Sequence, residues 1–285
     1  MIEFLLEKIF LPPLRYNRFW FAFLLGIVYS LFGLTLAVST NVGLLAVFVI
    51  AIAIQPFLSR FFSMLQLEQT RAHAREASMM ELFDQELAPA PKTETALLRD
   101  YGPLFSQYTA FFLGIFSTFV LFALAADPAR VYALFDLPAT LPSSSPAPWT
   151  TLAGQFLWHN AGVLFASFLL SLVLEFGASL VTVWNAVFWG LLVTVRMREA
   201  VQASADPSAG YLVLFTILPH LVLEAMAYIS AMFAGGMLST VLVQTHPGNL
   251  EDPRTWRRPL ELLGLGIGLL ILAAVLEALV FSWIL

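Results

Sequence analysis

The chain predicts an all-α polytopic transmembrane bundle of about seven spans. Three observations carry this prediction. Of the 285 residues, 59% are hydrophobic and only 12% are charged, whereas soluble chains run at about 45–50% and about 25%. The mean hydropathy is +0.82. The apolar residues also stand in long blocks, and about 20 such residues are needed to cross a bilayer. No segment alternates with a strand period, so the spanning elements are helices, which satisfy their own backbone in lipid.

The first block, near 18–40, ends in Ala37-Val38-Ser39, a small-residue pattern like a cleavage site. The run before it is too long for a signal h-region, so it is expected to be a retained helix. A second span, 42–63, follows at once and makes a hairpin domain of residues 1–63. Residues 64–104 then turn polar. They read as a cytoplasmic helix interrupted at Pro89-Ala90-Pro91, too short to hold a core of its own. The remaining core, 105–285, is expected to hold five spans near 105–126, 152–175, 177–195, 211–243 and 259–284. Within the long run at 211–243, Pro219 suits the first turn of a helix. Tyr211–Leu218 is therefore expected to be a separate interfacial or re-entrant piece. Between the third and fourth spans, LPATLPSSSPAPW is expected to lie at the membrane surface.

Eleven of the fourteen Lys and Arg residues fall in loops on one side of this arrangement. Positive residues gather in cytoplasmic loops. The expectation is a multi-pass cell-membrane protein with its N-terminus in the cytoplasm and its C-terminus outside. The formal net charge of −5 argues against nucleic acid as a partner. With no cysteine, disulfides, thiolate metal sites and cysteine nucleophiles are excluded. No His-Glu-x-x-His, nucleophile elbow or lysine-bearing phosphate loop occurs. An enzyme is thus the less favoured class, and no cofactor is expected.

The chemistry-bearing residues lie inside the apolar blocks. In LPHLVLEAMAY, His220 and Glu224 are four apart and share a helix face. The face continues through Ala227, Ala231 and Gly235, small residues that let helices approach closely in lipid. Similar stripes run Gln155, His159, Gly162, Ala166 in the fourth span and Ala178, Thr182, Asn185, Trp189 in the fifth. The seventh carries Gly266, Leu270, Ala273, Glu277. Together they nominate His159, Asn160, Asn185, His220, Glu224 and Glu277 as one intramembrane polar site. A neutral Glu224 would donate to His220 or Asn185. Glu277 lies near enough to its helix end to snorkel instead. A charge at bilayer centre costs about 3 kcal/mol or more, so such residues mark either function or interhelical glue. His159, His220, Glu224 and Glu277 are also chemically reasonable zinc ligands, so whether a metal binds stays open. His73 and His246 read as loop residues and Glu175 as a helix end.

Three stretches resemble the stage II sporulation protein M family (also known as DUF95). They are FLWHNAGVLFASFLLSLVLEFGASLVTVWNAVFWG at 156–190, ILPHLVLEAMAYISAMFAGGMLSTVL at 217–242, and the tail with Asp252, Trp256 and Glu277. The two extra N-terminal spans and LLRDYGPLFSQYTAFFLGIF resemble the archaeal form. Leu221 and Ala186 stand where many members have glycine. The resemblance implies a non-enzymatic membrane component of a cell-envelope complex, since the family's namesake acts with peptidoglycan-remodelling partners. Protein partners are expected through 64–104 or through helix packing, and a homo-oligomer is open. The alternative reading is a transporter or channel-like protein for a small solute, ion or lipid, using the His220–Glu224 face.

Overall fold

The computed structural model describes residues 18–55, 96–137, 148–174, 178–244 and 253–284. Every regular element among them is helical. In chain order these are α1 (Arg18–Thr40), α2 (Gly43–Gln55), α3 (Ala96–Ala125), α4 (Pro128–Phe135), α5 (Trp149–Leu174), α6 (Ala178–Ser204), α7 (Pro207–Gln244) and α8 (Pro253–Ile284). Six of them, α1, α3, α5, α6, α7 and α8, are long and apolar enough to cross a membrane. The chain is an integral, multi-pass membrane protein. α2 is shorter within the described residues, and the rest of the expected second span lies outside them. So does most of the 64–104 segment, with His73, Glu175 and His246.

Each element follows from local chemistry. Asn41 turns the chain between α1 and α2 with φ 57°, a left-handed conformation that asparagine tolerates better than most residues. Asp127 caps α4, its side chain accepting from the Ala129 N–H at 2.9 Å. Asp206 does the same for α7, accepting from the Ser208 N–H at 2.9 Å. The Arg198 guanidinium donates to the carbonyls of Leu124 and Ala126 at 2.7 and 3.0 Å. It thereby occupies acceptors that the end of α3 leaves open and ties α3 to α6.

The helices pack as a layered bundle. α1 lies against α3, α3 against α6, and α7 against α8, α5 and α6. α3 is the most enclosed span, with 61% of its apolar window buried, and α5 the least, with 22%. Phe233 of α7 meets the rings of Phe105 and Tyr108 edge-on, at 5.5 and 5.0 Å between centroids, which joins α3 to α7. Gly235 and Gly266 mark close approaches of α7 to its neighbours. A Cβ on Gly235 would overlap the Phe168 carbonyl of α5. A Cβ on Gly266 of α8 would stand 3.0 Å from the Ala227 carbonyl. Both allow the close backbone approach on which helix association in lipid depends.

The break expected before Pro219 does not occur. α7 runs unbroken for 38 residues with Pro219 inside it, so Tyr211–Leu218 is part of its continuous N-terminal half and not a separate piece. Proline removes the N–H that would meet the Phe215 carbonyl. Transmembrane helices tolerate this loss, because side-chain hydroxyls and small local adjustments re-satisfy freed groups. Nearby, Thr216 donates its hydroxyl to the Leu212 carbonyl at 2.5 Å. At about 1.5 Å per residue α7 is about 57 Å long, against a hydrocarbon core of about 30 Å. It therefore extends beyond the hydrocarbon.

Candidate functional site

Three helices bring polar side chains together where α5, α7 and α8 meet. Asn160 of α5 is buried and donates from Nδ2 to Glu224 Oε1 of α7 at 2.6 Å. Glu277 of α8 lies within hydrogen-bond reach of Glu224. Both carboxyls are enclosed, at 1% and 4% exposure. Among the described residues the Oε2 atoms of Glu224 and Glu277 meet no donor. Two adjacent anions in a dry site would repel, and a single proton shared by the two carboxyls would supply a donor. Tyr228, one turn beyond Glu224, is also buried.

His220 stands one turn before Glu224 on the same helix and is 1% exposed. Its ring packs edge-on against Trp189 of α6, with centroids 6.4 Å apart. Neither ring nitrogen meets a hydrogen-bond partner among the described residues. Glu224 therefore accepts from Asn160, with Glu277 beside it, and does not pair with His220 or Asn185 as expected.

The remaining expected residues divide between inside and outside. Ala227, Ala231 and Gly235 are buried on the face of α7 that carries the contacts. Leu270 and Ala273 are buried on α8 with Glu277, so Glu277 points inward and does not snorkel. Asn185 is half-buried and donates to the Val181 carbonyl of its own helix at 2.8 Å. It does not join the cluster. His159, Gln155 and Gly162 are exposed, and Ala166 is half-buried. The face that α5 buries is the one bearing Asn160, Leu164, Ser167 and Ser171. The stripe of four expected to face the site therefore looks outward, although Asn160, next in sequence to His159, looks in.

Among the described residues no group of three or more His, Asp or Glu side chains is arranged to hold a metal ion. With His159 outside the cluster, the four proposed zinc ligands do not converge. A cleft of about 390 Å³ lies elsewhere, between the α1–α2 turn, the end of α4 and the Trp184–Leu191 stretch of α6. It contains none of the cluster residues.

Tyr228 and the buried hydroxyls of Ser167 and Ser171 were not singled out from sequence. Tyr228 carried a readable signal, since it lies four residues from Glu224 and eight from His220. The serines follow Asn160 at seven and eleven residues, a helical spacing masked by the more conspicuous stripe beside it.

A model of the family described as stage II sporulation protein M matches residues 107–280. No curated protein matches the chain, and no solved structure does. The matched region covers more than half of the chain and contains Asn160, His220, Glu224 and Glu277. This transmembrane bundle belongs to the stage II sporulation protein M family.

Proposed function

We propose that this chain is a non-enzymatic membrane subunit or scaffold of a cell-envelope complex. Its N-terminus would lie in the cytoplasm, as the Lys and Arg distribution supports. The observation that carries the reading is the Asn160–Glu224 hydrogen bond, made at the meeting of α5 and α7 with Glu277 of α8 beside it. Such a contact acts as a polar lock. In lipid, apolar side chains gain little by choosing one another over acyl chains, so close packing and interhelical hydrogen bonds define the geometry. A rigid core is what a platform needs in order to present a constant surface. The 64–104 segment offers a cytoplasmic handle for a soluble partner.

The test is chemical cross-linking in native membranes followed by affinity purification of the full chain and mass spectrometry. A stoichiometric protein partner supports the scaffold. A chain that purifies alone under all cross-linking conditions argues against it.

A second reading has its own observation. The His220 nitrogens and the Glu224 and Glu277 Oε2 atoms are buried without partners among the described residues. Unsatisfied ionisable groups at membrane depth favour a solute or ion site. This reading requires that Glu224→Gln abolish flux in proteoliposomes while the protein still inserts and folds. Equal flux in wild type and variant would remove Glu224 from any such role.

A further inference from the structure

α5 carries two polar stripes on nearly opposite faces, and the lock uses only one. At 100° per residue, Gln155, His159, Gly162 and Ala166 centre about 150° away from Asn160, Leu164 and Ser171. The first set faces out of the bundle. Gln155, His159 and Gly162 are exposed, and Trp158 beside them is 84% exposed. A Cβ added to Gly162 would meet no atom within 4 Å. His159 lies ten residues, about 15 Å, along the helix from Trp149. That places it near mid-bilayer for a hydrocarbon core of about 30 Å. A glutamine and a histidine turned toward acyl chains at such depth are costly unless something covers them.

We propose that the outward stripe of α5 is the contact surface for a second copy of this chain, packed about a two-fold axis along the membrane normal. Copies inserted in one membrane share one orientation. Such an axis therefore sets each residue of α5 opposite the same residue of the other copy, at the same depth. The polar residues on the stripe suit this arrangement. A glutamine amide donates and accepts, and a neutral imidazole donates from one nitrogen and accepts at the other. Gln155 can thus pair with Gln155 and His159 with His159, whereas a carboxylate or an ammonium at either position would repel its own copy. Gly162, central on the stripe, gives the two backbones room to approach. Ala166 continues the small surface. The inference is independent of the lock, since none of these side chains takes part in it.

Cysteine scanning of the full chain in lipid vesicles tests the proposal. The protein has no cysteine of its own, so each introduced thiol reports one position. Under mild oxidation, Gln155→Cys, Gly162→Cys and Ala166→Cys are expected to give disulfide-linked dimers. Ser167→Cys and Ser171→Cys, on the inward face, are expected to give none. Combining Gln155→Leu with His159→Leu is expected to weaken dimerisation about tenfold, counted by single-molecule photobleaching, given the small energies of such pairs in lipid. Leucine on an outward face does not disturb the single copy, and a circular dichroism melt checks that. Dimers without helical periodicity would overturn the proposal. So would a wholly monomeric chain, or outward cysteines that cross-link in native membranes only to a different protein.

Discussion

Asn160→Ala removes the donor that Glu224 Oε1 uses inside the bundle, and its cost follows from the geometry. The bond is 2.6 Å long, and its two residues are 7% and 1% exposed, so bulk solvent does not reach the acceptor in the intact bundle. A buried acceptor left without a donor costs about 1–3 kcal/mol. Measured interhelical pairs in membranes are smaller, about 0.6–1.7 kcal/mol, because the unfolded chain in lipid finds other partners. Truncation also removes amide atoms from a packed contact. The expected loss is about 2 kcal/mol. The assay is equilibrium unfolding in bicelles for wild type, Asn160→Ala, Glu224→Ala and the double variant. The two single losses should sum to more than the double variant's loss, by a coupling of about 1 kcal/mol for residues in contact. Additive losses, or an Asn160→Ala variant within about 0.3 kcal/mol of wild type, would refute the lock.

Four further expectations come from backbone contacts and capping. Gly235→Ala forces a Cβ into the Phe168 carbonyl and within 2.9 Å of the Ser171 Cβ, so it should cost about 1–3 kcal/mol. Gly162→Ala, open within one copy, should leave monomer stability unchanged, and equal losses would contradict the α5 orientation. Pro219 is exposed, so Pro219→Ala restores a helix donor without disturbing packing and should stabilise by about 1 kcal/mol, less than the propensity difference in water; a lower melting temperature would show that the proline shape is needed. The Asp206 carboxyl is held below its ordinary range by hydrogen bonds from the Ser208 hydroxyl and backbone. A depressed folded pKa contributes stability above the unfolded value and loses it as pH falls. Asp206→Ala should therefore melt below wild type at neutral pH, with the gap closing on acidification. A gap independent of pH would assign the effect to packing.

How much was legible in the sequence depended on the kind of signal. Long apolar blocks define the helices almost directly, because lipid leaves the backbone no other solution. The buried face of α7 was equally readable, since His220, Glu224, Ala227 and Gly235 repeat at helical spacing. α5 was not. Its Gln155-to-Ala166 stripe and its Asn160-to-Ser171 stripe both have helical spacing, and periodicity alone does not say which faces the bundle. Periodicity likewise points Glu224 at His220 or Asn185, whereas Asn160, also on the nominated site, supplies its donor. Pro219 misled in another way. The rule that proline starts or breaks helices is strongest in water, and α7 carries it in an apolar run.

The most direct test of the account is Glu224→Gln, with unfolding free energy and partner yield measured on one preparation. A glutamine keeps the acceptor for Asn160 and brings a donor for Glu277, as the protonated carboxyl would. If the cluster acts through structure alone, both quantities remain at the wild-type level. A variant as stable as wild type that has lost its partner, or one as unstable as Glu224→Ala, would contradict it.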